Sequence, residues 1–165
     1  MRSDPRVAVE LQRLRGASDL RLQEYDRASA ARRREWYRQE FAERTVPGEG
    51  PLEQAYRLLL RRFGISESEA PIVEKSRERL VFHSQNFCPT LEACQALNLD
   101  TRRVCRLYNE GATQELIKQV DPRLRFRRNY EKLRPYARYC EEIIELGPND
   151  TAAAAAAGWT GNPVR

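Results

Sequence analysis

The sequence predicts an α+β fold, a mostly helical domain with a C-terminal antiparallel β-hairpin. Three observations predict it. Apolar residues recur at helical spacing through most of the chain, and Pro and Gly punctuate those stretches where helices start and stop. Beyond Asp121-Pro122 the period changes to two. A chain of 165 residues, 41% hydrophobic and 32% charged, is also long enough to enclose a core.

Asp4-Pro5 starts a first helix, with Val7, Leu11 and Leu14 at helical spacing, and Gly16 interrupts it. A second, longer helix runs from Ser18 to about Arg44. Its apolar residues are sparse in the middle, where Arg32-Arg33-Arg34 sits among alanines, and denser at Trp36, Tyr37 and Phe41. The arginine triple reads as a solvated helix face rather than a phosphate contact. Pro47, Gly48 and Gly50 form a loop. Pro51 then opens an amphipathic helix whose Leu52, Ala55, Tyr56, Leu59, Leu60 and Phe63 share one face, with Gly64 as its stop. Ser66 and Glu69 have capping-box spacing, and Ile72, Val73, Ser76 and Leu80 mark one stripe of a further helix ending near Val81.

Pro89 fits the first turn of the next helix, which continues to about Leu97. Another helix is expected from about Ala112 to Val120. In the following RLRFRRNY, Leu124, Phe126, Arg128 and Tyr130 share one face of a strand, and Arg123, Arg125, Arg127 and Asn129 the other. After a turn at Arg134-Pro135, Cys140, Glu142, Ile144 and Leu146 form the inner face of a second strand. The outer arginines then lie beside Glu141 and Glu145 and pair with them. A lone hairpin is marginal, so these strands must pack on the helices or join strands of a second copy, which makes a homo-oligomer an expectation. On this reading residues 1–46 form Arg-rich N-terminal helices, 51–146 a helical and hairpin domain, and 147–165, with six consecutive alanines, a disordered tail.

The net charge is +5, but it is dispersed. Residues 1–50 carry 11 basic and 9 acidic side chains, and residues 81–120 four of each. A nucleic-acid surface needs a one-signed stripe, so nucleic acid is not the expected partner. No apolar run approaches the roughly 18–20 residues of a membrane helix, and the first residues lack the apolar core of a signal peptide. The expected setting is the cytoplasm, with no membrane partner and with reduced thiols.

Chemistry-bearing residues concentrate between Val81 and Cys105, which hold three of the four cysteines and the only histidine. Cys88 precedes Pro89 at a helix start, where the dipole and free N–H groups favour a thiolate, so it is expected to titrate below the roughly 8.5 of free cysteine. Cys88 is the candidate nucleophile. Glu92, one turn later, and His83 are the candidates to move a proton. Cys88, Cys105 and Cys140, with His83 as a fourth, are alternatively candidate metal ligands. The cofactor stays open: a zinc ion, an iron ion or an iron–sulfur cluster would suit such ligands, although paired C-x-x-C steps are absent. Cys94 lies inside the helix and is expected to be buried packing.

The order of these residues carries a resemblance. Asn86-Phe87-Cys88-Pro89, Glu92-Ala93, Asn98-Leu99-Asp100, Cys105, Asp121-Pro122-Arg123-Leu124-Arg125-Phe126 and Tyr139-Cys140 resemble the L-2-amino-thiazoline-4-carboxylic acid hydrolase-like family over about residues 81–146. Small vinyl-reductase-like ligand-binding domains have a comparable arrangement of cysteines. Cys94 is a thiol beyond that pattern. The resemblance implies either a hydrolase opening a C–N or C=N bond in a small heterocycle, or a relative that only binds a small molecule through its clustered cysteines. An Arg-rich helical interaction protein is the third reading.

Overall fold

The computed structural model describes residues 4–148; the tail expected from 147 onward lies outside them save for its first two residues. Among the described residues there are six helices and four strands, an α+β architecture in which the helices predominate.

The first helix, α1 (Pro5–Leu14), starts as its sequence requires, with the Asp4 carboxylate accepting from the Arg6 N–H and Pro5 in the first turn. Ser18 caps α2 (Asp19–Glu40) by accepting from the Arg21 N–H. Gly50 precedes α3 (Pro51–Phe63), and Gly64 closes it in the left-handed region at φ 65°. Three short helices follow one another: α4 (Pro89–Ala96), α5 (Thr101–Tyr108) and α6 (Glu110–Ile117).

The stretch expected as a helix ending near Val81 is instead a hairpin of β1 (Ile72–Lys75) and β2 (Arg79–Ser84). Pro71 decides this. It has no N–H to give a helix and steers Ala70 away from the helical region. The Ser66 and Glu69 pairing does form, with the Ser66 N–H and hydroxyl both donating to the Glu69 carboxylate at 2.9 and 2.8 Å, but it closes a turn. Ser76 organises the hairpin turn by accepting from the Arg79 N–H at 3.1 Å.

β3 (Leu124–Arg128) and β4 (Cys140–Leu146) form the expected C-terminal hairpin. It is not alone. β2 pairs with β4 along its whole length, giving one antiparallel sheet in the order β1-β2-β4-β3. The first hairpin of the same chain therefore supplies the support that the sequence argument sought from helices or a second copy.

Period-two alternation then sorts the side chains. Leu80, Phe82, Ile144, Leu124 and Phe126 meet α3 and α6 in one buried cluster, with Leu52, Tyr56, Leu59, Leu60, Leu116 and Ile117. A second cluster joins α1, α2, α4 and α5 through Leu14, Leu22, Cys94, Val104 and Tyr108. The N-terminal helices thus share the core of the domain. The inner sheet face turns polar at one end, where register sets Ser84 opposite Cys140 and Arg128 opposite Glu142.

Candidate functional site

That polar end opens into a cavity of about 600 Å³, walled by α1, α2, α3, the inner sheet face and α5. The volume lies in the range that encloses a small organic molecule. Tyr25, Leu59, Phe63, Phe82 and Leu133 give it apolar walls, and Cys88, Cys105 and Cys140 all line it. Cys88 arrives as the N-cap of α4, Cys105 from the middle of α5, and Cys140 as the first residue of β4. Cys94 does not reach the cavity and is fully buried between α1, α2 and α5, as expected.

The Cys88 thiol is not activated as its helix-start position suggested. Burial pushes the Cys88 thiol up, outweighing the Leu91 N–H and the Arg134 charge that favour its thiolate. Burial raises Cys105 to about 12 even with the Arg128 charge nearby. Cys94 is raised to about 12 for the same reason. A helix start on an eight-residue helix does not offset removal from water. The thiol of Cys140 has a defined partner, the Arg134 Nε, which donates to its sulfur at 3.4 Å while Arg134 Nη1 donates to the Asn86 carbonyl at 2.7 Å.

The proposed proton-moving groups lie elsewhere. His83 alternates with Phe82 and Ser84 and so faces the opposite side of the sheet. There its Nε2 lies 3.0 Å from the Glu141 carboxylate, and its ring stacks on Tyr139 at 3.7 Å. Glu92 is exposed on α4. Neither lines the cavity with Cys88. The suggested ligand set is divided in the same way, since Cys88, Cys105 and Cys140 share the cavity while His83 is across the sheet. Among the described residues no group of three or more His, Cys, Asp or Glu side chains is arranged to hold a metal ion.

Arginine supplies most of the charge around the cavity. Seven arginines and two glutamates line the cavity. Arg33, expected on a solvated face, is only 6% exposed. Its Nη1 donates to the Thr113 hydroxyl at 3.1 Å, and its guanidinium lies 4.9 Å from the centre of the Phe63 ring. Thr113 donates on to Asn109, and Asn109 Oδ1 accepts from Arg128 Nη2 at 2.7 Å. Arg128 Nε completes the chain to Glu142 at 3.2 Å. A continuous polar network therefore crosses from α2 to β4 along one wall.

The signals for these residues were present. Arg33 continues the α2 stripe of Leu22 and Ala30, and Arg128 shares its strand face with Leu124 and Phe126. A charge on an apolar stripe is a buried charge.

At the opposite wall Glu10 of α1 accepts from the Tyr108 hydroxyl at 2.8 Å and from the Thr90 hydroxyl at 2.9 Å, tying α1 to α5 and α4. Burial lifts the Tyr108 phenol to about 12, so it stays a donor throughout the physiological range. The outer sheet face is different again. Arg127 pairs with Glu145 at 2.7 Å and Arg123 with Asp121 at 2.7 Å, while Arg125 donates to backbone carbonyls. Glu141 serves His83, Lys132 and Asn129 instead of the β3 arginines.

No helix among the described residues is long and apolar enough to cross a membrane. Compared with known proteins, the chain matches no family model, no curated protein and no solved structure.

Proposed function

We propose that the protein binds a small organic molecule in the cavity between its helices and the inner sheet face. The observation that carries this reading is the cavity itself, about 600 Å³, with aromatic and aliphatic walls and polar groups gathered at the end where the sheet pattern changes. Cys88 and Cys105 would contact the ligand as neutral thiols, soft and weakly polar, beside Cys140, in a cytoplasmic setting that keeps all three reduced.

Titration with 1-anilinonaphthalene-8-sulfonate, an aromatic probe whose fluorescence rises on leaving water, tests it. One saturable site is expected, and Ser29→Trp, which fills the cavity from α2, is expected to remove it. Equal binding by this variant would place the probe elsewhere and sink the reading.

A second reading is a hydrolase of the thiazoline-carboxylate type, favoured by the three thiols at one cavity and by the motif resemblance. In it the Cys88 thiol would add across the ring C=N bond, its sulfur to the carbon and its proton to the ring nitrogen. Water would then displace the sulfur as the ring opens, returning a proton to the thiol; neither Glu92 nor His83 lines the cavity to assist. Incubation with 2-amino-thiazoline-4-carboxylate, followed by loss of the ring's ultraviolet absorbance, tests this reading. Turnover that disappears in Cys88→Ser would establish it, and no turnover by the folded protein would exclude that substrate.

A further inference from the structure

Three guanidiniums converge on the cavity with less negative charge than they need. Arg33 is buried and has no ion pair among the described residues; its hydrogen bond goes to the neutral Thr113 hydroxyl. Arg128 is held by Glu142 and Asn109, yet its Nη1 is buried with no hydrogen-bond partner, and the Nε of Arg62 on α3 is likewise buried and unpartnered. All three residues line the cavity. They also feel one another: burial first, then the charges of Arg62 and Arg128, bring the Arg33 guanidinium down to about 10. Buried donors without acceptors are costly, and like charges brought together out of water more so, unless something supplies acceptors and negative charge.

The available carboxylates do not suffice. Glu142 answers Arg128 alone, and Glu10 is engaged by Tyr108, Thr90 and Arg13 on the α1 side. Asp26 contributes negative charge from behind α2, but its Oδ1 accepts from the Ala112 N–H at 3.0 Å and it does not line the cavity. Once Glu142 has matched Arg128, the charges of Arg33 and Arg62 remain to be balanced across the cavity.

Resting on the reading of this cavity as a small-molecule site, we propose that its ligand carries a doubly charged oxyanion, of the phosphate-monoester kind, on an aromatic or aliphatic body. The oxyanion lies among Arg33, Arg62 and Arg128, all of which line the cavity, and supplies the negative charge that Arg33 and Arg62 lack. A tetrahedral group with several acceptor oxygens can meet donors from α2, α3 and β3 at once, which a single planar carboxylate does less well. The body of the ligand lies against Phe63, Phe82 and Leu133.

Isothermal titration of the whole chain with phenyl phosphate, benzoate and benzyl alcohol tests this, since the three probes share a ring and differ in charge. Phenyl phosphate is expected to bind at least about tenfold tighter than benzoate, and benzoate tighter than the alcohol, with the preference falling as salt rises. Arg62→Gln and, separately, Arg33→Met are expected to weaken phenyl phosphate by about tenfold or more, and by a clearly larger factor than they weaken benzyl alcohol. Far-ultraviolet circular dichroism confirms that each variant is folded, and the more peripheral Arg62→Gln decides the matter if Arg33→Met is not. If benzyl alcohol binds saturably and phenyl phosphate no better, the oxyanion assignment falls and the cavity reading stands. If none of the probes binds, both fall. Undiminished phenyl phosphate binding by Arg62→Gln would put the phosphate on the surface and overturn the assignment.

Discussion

At the scale of single residues, the molecule shows how burial reverses a local electrostatic signal. Cys88 has the sequence position of an activated thiol, and its identity as a helix N-cap was legible from the Cys-Pro step. What the sequence could not show was how much protein closes over it. Burial raises Cys88, Cys94 and Cys105 together. Alkylation with iodoacetamide near neutral pH, followed site by site by mass spectrometry, should therefore find all three slower in the folded chain than in urea. For Cys105, raised from 9.0 to about 12, the thiolate fraction falls by about a thousandfold, and the labelling rate should drop accordingly. Fast labelling of Cys88 in the folded protein would contradict this. The arginines failed in the opposite direction. Arg32-Arg33-Arg34 looks like a solvated run in composition, and only its phase relative to Leu22 and Ala30 separates Arg33 from its neighbours.

At the scale of elements, helix ends were the most legible features, because caps and stops are written in one or two residues. Asp4-Pro5, Ser18, Pro51, Gly64 and Pro89 all act where the sequence places them. The β1–β2 hairpin was not legible from periodicity, since four residues of strand match a helical stripe nearly as well; Pro71 was the discriminating residue. Packing between elements was hidden altogether. Gly111 in the first turn of α6 is an example, for a Cβ there would overlap the Asp26 carboxylate that caps Ala112 from α2. Gly111→Ala gains helix propensity in isolation, yet in this fold the Asp26 Oδ2 must move aside, which strains the bond from the Ala112 N–H to Oδ1. A net loss of about 1–3 kcal/mol is expected, lowering Tm by several degrees. Thermal unfolding checks it, and an unchanged or raised Tm would show that the α2–α6 contact is loose.

At the scale of the whole molecule, the titrating groups raised by burial set a common alkaline limit. Cys94 and Cys105 rise from 9.0 to about 12, and Tyr108 from 10.0 to about 12. Each holds its proton more tightly when folded than when unfolded, so each stabilises the fold fully below its unfolded value. That stability is lost as pH rises from about 9 toward about 12. Arg33, above about 10, and Arg62, which burial also lowers, work in the opposite sense, and two such groups do not cancel three. Tm should therefore decline steadily above pH 9, and Cys105→Ala should make the decline shallower; parallel curves for the two proteins would refute this account. The fold class and the hairpin were readable because period and punctuation are local. The four-stranded sheet was not, because it depends on pairing β2 with a strand far along the chain. That pairing also constrains how the molecule comes into being. β4 is the last of the described elements in sequence and yet occupies an interior position in the sheet, joining β2 on one side and β3 on the other. While a ribosome is still making the chain, β2 and β3 each wait with an unsatisfied edge, and the cavity wall lacks Cys140 and Glu142. The cavity wall is complete only when residues 140–146 arrive, so its closure belongs to a late step of folding.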